Sequence, residues 1–494
     1  MLPLAEGSNP PLTRGESQAV HKPKIQIGRE DMSRSAHTFL PKNKLVAGMG
    51  IGAIAMLAMA GPALTDDNEH GNSSKKDEMF KVTTVMQVPG AASFFSFDIS
   101  WFDPKLKRFF LADRNNKAID VVDAHDLGGG VTQFPNPGFA GFTGNNDTSG
   151  PDGVLTANNS TELWVGDSPG KVWVMDATTG AIKTPSQMNG QANPILVKTN
   201  SNGTNASTTR ADELCYDPKD NLIMIASPAE SPAFVTFIST KTYKVVGHLT
   251  LAGGTGIEQC GWSPKTGKFY QNVPADPGGQ DQVAVINPTS MKVDRFININ
   301  ACAGVRGLAI GPDNQILIGC TAPSSDGHRN SVVIDDGGAV LKVLQDLGGV
   351  DEVWFNPDDG HYILPSCNTP CRTVPVMGAT TGPELLGIVD SRGFRLDHSV
   401  TIAEQNSDTT VLPTGNPRTT HSAAAGGNLI FLPIPATGGT APQFDPTLCD
   451  SLDDTIVVGS PNAATGCIAI LKAKPDKDDR SRVAHERDRD DRQD

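Results

Sequence analysis

The sequence is poor in charged and aromatic residues. Of its 494 residues, 19% are charged and 6% are Phe, Trp or Tyr. Helical bundles and coiled coils carry many charged residues on their exposed faces, so this composition excludes both classes. Basic residues are scarcer than acidic ones, 41 against 55, which gives a formal net charge of −14. Such a chain offers no strongly cationic surface to phosphates, and we expect no nucleic-acid partner.

Several short catalytic and metal-binding motifs are absent as well. The sequence contains no HExxH helix, P-loop, CxxC pair or CxxCH haem motif. These absences argue against the common zinc, nucleotide and haem sites. Eight cysteines are present, all after residue 200, and their even number fits disulfide bonds in an exported protein. Candidate pairs are Cys302 with Cys320, Cys449 with Cys467 and, in a short loop, Cys367 with Cys371.

Long apolar runs are limited to one, at residues 45–60, which follows Arg34, Lys42 and Lys44. The run is shorter than the ~20 residues of a membrane span and ends in small residues, as export signals do. We therefore predict an export signal within residues 1–63, and a periplasmic or secreted protein with no stable membrane span after cleavage. An uncleaved N-terminal anchor is the alternative.

Neither end of the chain is predicted to form a folded domain. Translation from Met32 would give the export signal an ordinary length. Segments 64–79 and 473–494 are charged and poor in apolar residues. They cannot bury enough apolar surface to offset chain entropy, so we predict a disordered linker and a disordered tail. The folded part is then residues 80–472.

Glycine and proline are abundant, at 51 and 36 residues, and they punctuate an internal repeat. Five segments place a charged residue six positions before a proline: DISWFDP (98–104), DELCYDP (212–218), EQCGWSP (258–264), RGLAIGP (306–312) and DEVWFNP (351–357). Two more fit without the proline: DGVLTAN (152–158) and HSAAAGG (421–427). After each come two short apolar runs, such as RFFLAD (108–113) and AIDVVD (118–123), which predict strands joined by hairpins.

Seven units of four short strands predict an all-β fold, a seven-bladed β-propeller, with six or eight blades as alternatives. The seventh unit lacks an obvious fourth strand. The segment FKVTTVMQV (80–88) alternates correctly to supply it, so we expect an N-terminal strand to close the ring. Long loops over or between the blades are expected at 137–150, 187–209, 367–383 and 403–419.

Each inner strand begins with an ionisable residue: Asp98, Asp152, Asp212, Glu258, Arg306, Asp351 and His421. Because the first strand of each blade lines the channel, these side chains should form a ring at one mouth. Converging carboxylates repel each other unless a cation compensates them, and Ca²⁺ accepts oxygen ligands in flexible geometry. A divalent metal, Ca²⁺, held by the five carboxylates is therefore one expectation. A water-filled channel with solvated charges is the other.

The motifs DELCYDP, EQCGWSP, RGLAIGPDN and DEVWFNPDD resemble the inner-strand motifs of senescence-marker-protein/gluconolactonase-like propellers and of related NHL/YVTN-type propellers. The stretch LADRNNKAIDVVD (111–123) also resembles an NHL-type repeat. The resemblance implies a divalent metal at the strand heads and hydrolysis of lactones or related esters. Metal ligands would then be Asp98, Asp152, Asp212, Glu258 and Asp351. Arg306 departs from the family, which has Asn at that position.

These observations lead to two classes of function. In a metal-dependent hydrolase, Asp212, Glu258 or His421 would take the proton, while Arg306, Glu213 and Glu352 would contact the substrate. A lyase or isomerase at the same mouth would use the same groups. In a non-catalytic propeller, the long loops would instead bind a protein, a glycan or a small ligand.

Overall fold

The proline motif of the repeat marks the hairpin between the first two strands of a blade. Asp103 precedes the proline of the first motif, and its Oδ1 accepts the N–H groups of Lys105 at 2.8 Å and Leu106 at 2.7 Å. Asp217 caps the corresponding turn of the third motif in the same way. The capping oxygen satisfies the turn N–H groups, and the following proline presets the backbone angle φ. The strongest repeat signal is therefore a turn signal.

A computed structural model describes residues 80–90, 94–197, 207–251, 256–275, 279–324, 328–345, 347–367, 384–405, 420–436, 444–445, 447–449, 455–461 and 465–473. The predicted export signal, the linker and the tail from residue 474 lie outside these stretches. So does the predicted pair of Cys367 with Cys371, since only the backbone of Cys367 is described. Within the described stretches, no helix has the length and apolar character needed to cross a membrane.

The strands form seven sheets, which confirms the seven-bladed propeller. The first strand is β1 (Phe80–Met86). Blade one contains β2 (Phe97–Asp103), β3 (Arg108–Asp113), β4 (Ala118–Asp123) and β5 (Val131–Phe134). Blade two contains β6 (Val154–Ala157), β7 (Glu162–Asp167), β8 (Lys171–Asp176) and β9 (Ile195–Leu196). Blade three contains β10 (Leu214–Asp217), β11 (Leu222–Ser227), β12 (Phe234–Ser239) and β13 (Val245–Thr250).

The remaining blades repeat this order. Blade four contains β14 (Cys260–Ser263), β15 (Lys268–Val273), β16 (Gln282–Asn287) and β17 (Lys292–Asn298). Blade five contains β18 (Ala303–Ile310), β19 (Ile316–Ala322), β20 (Ser331–Ile334) and β21 (Val340–Leu344). Blade six contains β22 (Trp354–Asn356), β23 (His361–Cys367), β24 (Glu384–Asp390) and β25 (Arg395–Gln405). The last strands are β26 (Ala424–Gly426), β27 (Leu429–Ile434), β28 (Phe444–Asp445), β29 (Ile456–Val458) and β30 (Cys467–Ala473). Short 3₁₀ turns occur at Leu127–Gly129, Asn146–Thr148, Pro312–Asn314 and Thr447–Cys449.

The ring is closed by its N-terminal strand, as predicted. Blade seven has the strand order β26, β27, β30, β1, β29, and β1 pairs antiparallel with β30 from Phe80 opposite Ala473 to Met86 opposite Ile468. Two blades have a fifth strand that was not predicted. In blade seven β29 pairs parallel with β1, and in blade six β28 pairs antiparallel with β25. Blades six and seven, the last two along the chain, therefore each have an additional strand that covers their outer edge.

The core lies between the blades. All six residues of β7 and of β11 are buried, because both faces of these strands pack against sheets. One apolar cluster joins Leu155 and Trp164 of blade two to Ile223 and Ile225 of blade three. The outer strand β21 shows the opposite pattern, with its first four residues exposed.

Three disulfide bonds are described. Cys302–Cys320 and Cys449–Cys467 confirm two predicted pairs. Cys215–Cys260 was not predicted, and it joins β10 of blade three to β14 of blade four. Disulfides are typical of exported proteins, so their presence agrees with an oxidising location.

Candidate functional site

The seven ionisable residues at the strand heads are linked to one another by close contacts and by mutual charge interactions, and we call them the mouth ring. Backbone hydrogen bonds join neighbouring blades at this level, for example from Gln259 N–H to the carbonyl of Arg306 at 3.2 Å. Asp98 and Arg306 each lie at an irregularity in the pairing of their strand, between Phe97 and Ser100 and between Val305 and Leu308. Such bulges re-aim side chains.

Three carboxylates of the mouth ring come especially close together. Oxygen atoms of Asp98, Asp152 and Asp212 all lie within 4.8 Å of one another, and we call these residues the carboxylate triad. Asp152 is fully buried, and its Oδ2 has no hydrogen-bond partner among the described residues. Carboxylates at this spacing need compensating positive charge.

Two arginines outside the predicted ring provide that charge. Arg114, directly after β3, donates from Nη2 to Asp98 and Asp152, and from Nε to Asp152 at 2.9 Å. Arg210 lies with its Nε 2.8 Å from Asp212 Oδ2. That N–H is not aligned for a hydrogen bond, so the contact is an ion pair only. Both arginines are buried, with exposures of 5% and 7%.

The loop before β6 holds both guanidinium groups from outside. Arg114 Nη1 donates to Asn146 Oδ1 at 2.6 Å. Arg210 Nη1 donates to the carbonyl of Asn146 at 3.5 Å, and the backbone N–H of Arg210 donates to the carbonyl of Asp147 at 2.8 Å. The predicted loop 137–150 therefore covers this side of the mouth, as expected for a long loop, and its role there is to position the arginines.

Between blades four and five, Arg306 Nη1 donates a hydrogen bond to Glu258 Oε1. The Glu258 side chain is 9% exposed, whereas 31% of the Arg306 side chain is exposed. Asp351 is close enough to both to influence their charge states. Arg306 is thus the arginine of the mouth that faces solvent.

His421 links the last blade to the first. Its Nε2 lies 3.4 Å from Asp98 Oδ1, and its ring stacks on Phe97 at a centroid distance of 5.0 Å. The His421 side chain is 23% exposed. The position suits either a ligand contact or a base oriented by Asp98.

Two further contacts cross the channel. Glu213 of blade three and Glu352 of blade six are buried and hydrogen bonded to each other, which requires a proton between the two carboxyl groups. Gln259 donates to Glu352 at 2.8 Å. The rings of Trp101 and Trp354 meet edge to face at 5.1 Å. Glu213 and Glu352, predicted substrate contacts, are thus occupied with each other.

The carboxyl groups of the mouth ring differ in pKa. Burial raises the pKa of Asp152 well above its usual value, that of Asp212 to about 6 and that of Glu258 to about 8, although nearby arginines act against burial at each. Burial also acts on Asp98, but Arg114, His421 and Arg210 together outweigh it and lower its pKa. At neutral pH the ring therefore contains an ionised Asp98 and a largely protonated Glu258.

As they stand, these donors do not fit a divalent metal well. The triad has the carboxylate spacing of a cation site, but Arg114 already contacts two of its members and Arg210 the third. Glu258 is paired with Arg306. A Ca²⁺ ion would have to displace these guanidinium groups or lie beside them, where the like charges repel.

No model of a known protein family matches the sequence, and no curated protein matches it. Solved structures do match. One is a chain from "Crystal Structure of Mitotic Checkpoint Complex", with a TM-score of 0.51 and 10% sequence identity over 80% of this chain and 95% of that chain. The similarity is one of fold. It supports the seven-bladed propeller and leaves the gluconolactonase-like and NHL/YVTN resemblance as a prediction.

Sequence reasoning missed Arg114, Arg210, Asn146 and Gln259. Arg210 stands two residues before Asp212, so a search for cations beside the strand heads would have found it. Arg114 follows the second strand of its blade, whose end lies beside the start of the first because the two are antiparallel. The sequence offered no comparable signal for Asn146, which lies in a loop.

Proposed function

We propose that this protein is an exported propeller that binds a small hydroxylated ligand with a carbonyl or carboxylate group at the mouth ring. The observation that carries the proposal is the uneven exposure of the ring. Arg306 and His421 are 31% and 23% exposed at their side chains, whereas Arg114 and Asp152 are 6% and 0% exposed. A buried network of paired charges thus lies beside a set of polar groups that face solvent.

The open groups have complementary chemistry. Arg306 can donate to a carbonyl or carboxylate oxygen in a planar, fork-like geometry. Asp98, with 14% of its side chain exposed, can accept from a ligand hydroxyl, and so can Asp351. Buried ionisable groups are costly, and their concentration at one mouth supports a binding role over a merely solvated channel.

The proposal is tested by ligand binding to the mature protein. Aldonic acids, their lactones and neutral sugars would be screened by thermal shift and then by calorimetry. We expect carbonyl-bearing compounds to bind wild type and to lose at least about tenfold in affinity in Arg306→Gln. Arg295→Gln, on the outer strand β17, is the matched control and should bind normally. Equal binding by Arg306→Gln and wild type would contradict the proposal, as would a panel that yields no ligand.

Hydrolysis of a lactone or ester is a second candidate, favoured by the raised pKa of Glu258 beside Arg306. Arg306 would stabilise the oxyanion formed when water attacks the carbonyl carbon. His421 would take the proton from the water, and Glu258 would give its proton to the leaving oxygen as the acyl C–O bond breaks.

Lactone hydrolysis measured by acid release separates the two candidates. In the enzyme, Glu258→Gln should bind lactone but lose at least about a hundredfold in turnover. If wild type binds lactones without hydrolysing them above the solvent rate, the binding function stands and the enzyme does not.

A further inference from the structure

The carboxylate triad has the spacing of metal ligands, yet its positive charge comes from the protein itself. Arg114 bridges Asp98 and Asp152, and Arg210 is paired with Asp212. Three carboxylates and two guanidinium groups therefore form one closed cluster. The cluster draws residues from three consecutive blades, so it also holds those blades in register at the mouth.

The two arginines are fixed in place rather than free to leave. Asn146 accepts from both guanidinium groups, through its Oδ1 from Arg114 at 2.6 Å and through its carbonyl from Arg210 Nη1 at 3.5 Å. Side-chain exposures are 6% for Arg114 and 9% for Arg210. Moving either guanidinium aside would break these loop contacts and leave buried charges without partners, which is costly.

A divalent ion at the triad would meet these guanidinium groups at contact distance. Like charges at such separation repel strongly where water is excluded. The unpartnered Oδ2 of Asp152 shows that an oxygen for a cation is present, so the obstacle lies in the arginines and not in a lack of donors.

We infer that Arg114 and Arg210 are the built-in counter-cations of the carboxylate triad, and that Arg114 excludes a divalent metal ion from it. In the mouth ring, arginine side chains then take the place that a metal ion has in a metal centre with the same carboxylate spacing. Removing Arg114 should convert the triad into a cation site. The ligand proposed above contacts Arg306, whose partner is Glu258 and not the triad, so titration with ligand and titration with Ca²⁺ test the two proposals separately.

Calcium binding by the folded protein tests this directly. Ca²⁺ would be titrated by calorimetry, and Tb³⁺ by luminescence, into wild type, Arg114→Gln, Arg306→Gln and the double variant Arg114→Gln/Asp152→Asn. We expect no saturable Ca²⁺ binding by wild type or Arg306→Gln up to about 1 mM. Arg114→Gln should gain at least about tenfold in Ca²⁺ affinity, and Asp152→Asn should remove the gain.

Two outcomes would overturn the inference. One is stoichiometric Ca²⁺ binding by wild type that Asp152→Asn abolishes. The other is a folded Arg114→Gln that binds Ca²⁺ no better than wild type. Should Arg114→Gln fail to fold, Arg210→Gln serves the same purpose, with the same expected gain, and the wild-type titration decides by itself whether the triad holds a metal.

Discussion

At the level of single residues, the mouth ring is a set of buried charges that are stable only together. Each member of the carboxylate triad depends on an arginine, and each arginine depends on the triad and on loop 137–150. Removing one partner of a buried pair typically costs about 3–5 kcal/mol, because the other is left uncompensated. These contacts exist only in the folded protein, so the pKa values of the ring residues differ between the folded and the unfolded chain.

Glu258 should make the stability of the protein depend on pH. Burial raises its pKa to about 8, above the value of about 4.3 expected in the unfolded chain. Between these two values the native state holds a proton that the unfolded state has lost, so stability falls as pH rises, by up to about 1.4 kcal/mol per pH unit from this group. At pH values below the pKa of the unfolded chain or above the pKa of the folded protein, Glu258 does not make stability depend on pH.

Glu258→Gln should remove this dependence of stability on pH, because Gln has the shape of Glu but does not titrate. In urea unfolding at pH 5, 6.5 and 8, the free energy of unfolding of the variant should increase relative to that of wild type as pH rises. Asp294→Asn, at an exposed carboxylate on β17, is the control and should leave the wild-type slope in place. A constant difference between Glu258→Gln and wild type at all three pH values would show that Glu258 does not titrate in this range.

At the level of structural elements, the site depends on how closely adjacent inner strands approach. A Cβ on Gly153 would overlap the backbone carbonyl of Asp212 and the side chain of Leu214. Glycine therefore allows blade two to contact blade three where Asp212 enters the mouth ring. The Cys215–Cys260 disulfide fixes the next pair of inner strands, three residues after Asp212 and two after Glu258.

Gly153→Ala should disturb the ring by pressing on the backbone of Asp212. Overpacking of this kind typically costs about 1–3 kcal/mol. Thermal unfolding and ligand affinity would be compared with Gly128→Ala, where the nearest atom to the new methyl group is 3.5 Å away. Equal stability of the two variants would mean that blade two relaxes freely away from Asp212.

Loss of the Cys215–Cys260 disulfide should weaken both the fold and the site. Its sequence separation is 45, for which chain entropy predicts about 4 kcal/mol of stabilisation. Cys215→Ser/Cys260→Ser is compared with Cys302→Ser/Cys320→Ser, whose separation of 18 corresponds to about 3 kcal/mol.

The readouts are the midpoint of urea unfolding and the affinity for the ligand of the mouth ring. We expect both double variants to lose stability. Only the first should also lose affinity, because Cys302–Cys320 lies within blade five and joins no second inner strand. An equal loss of affinity in both would show that the effect is a general one of stability.

At the level of the whole molecule, the sequence predicted what is local and missed what depends on contact between blades. RFFLAD and AIDVVD became β3 and β4 with the predicted bounds, because period-two alternation and turn residues are local signals. Closure by residues 80–88 was predictable since one blade lacked a strand. The pairing of Arg114 with Asp152 and the Cys215–Cys260 bond were not, because each joins residues of two different blades. The strands β28 and β29 are too short to leave a pattern.

Pairing of β1 with β30 joins the first and last parts of the propeller, so the site as well as the fold should depend on it. Val85 on β1 is fully buried opposite Ala469 of β30. Val85→Asp would place a charge there and should cost roughly 3 kcal/mol or more. Because the contact between Asp98 and His421 joins blades one and seven, opening this seam should also weaken ligand binding. Lys81→Ala on the same strand is the control, since Lys81 is only partly buried. Thermal unfolding and ligand titration of both variants give the answer: if Val85→Asp unfolds and binds like Lys81→Ala, the ring does not depend on its N-terminal strand.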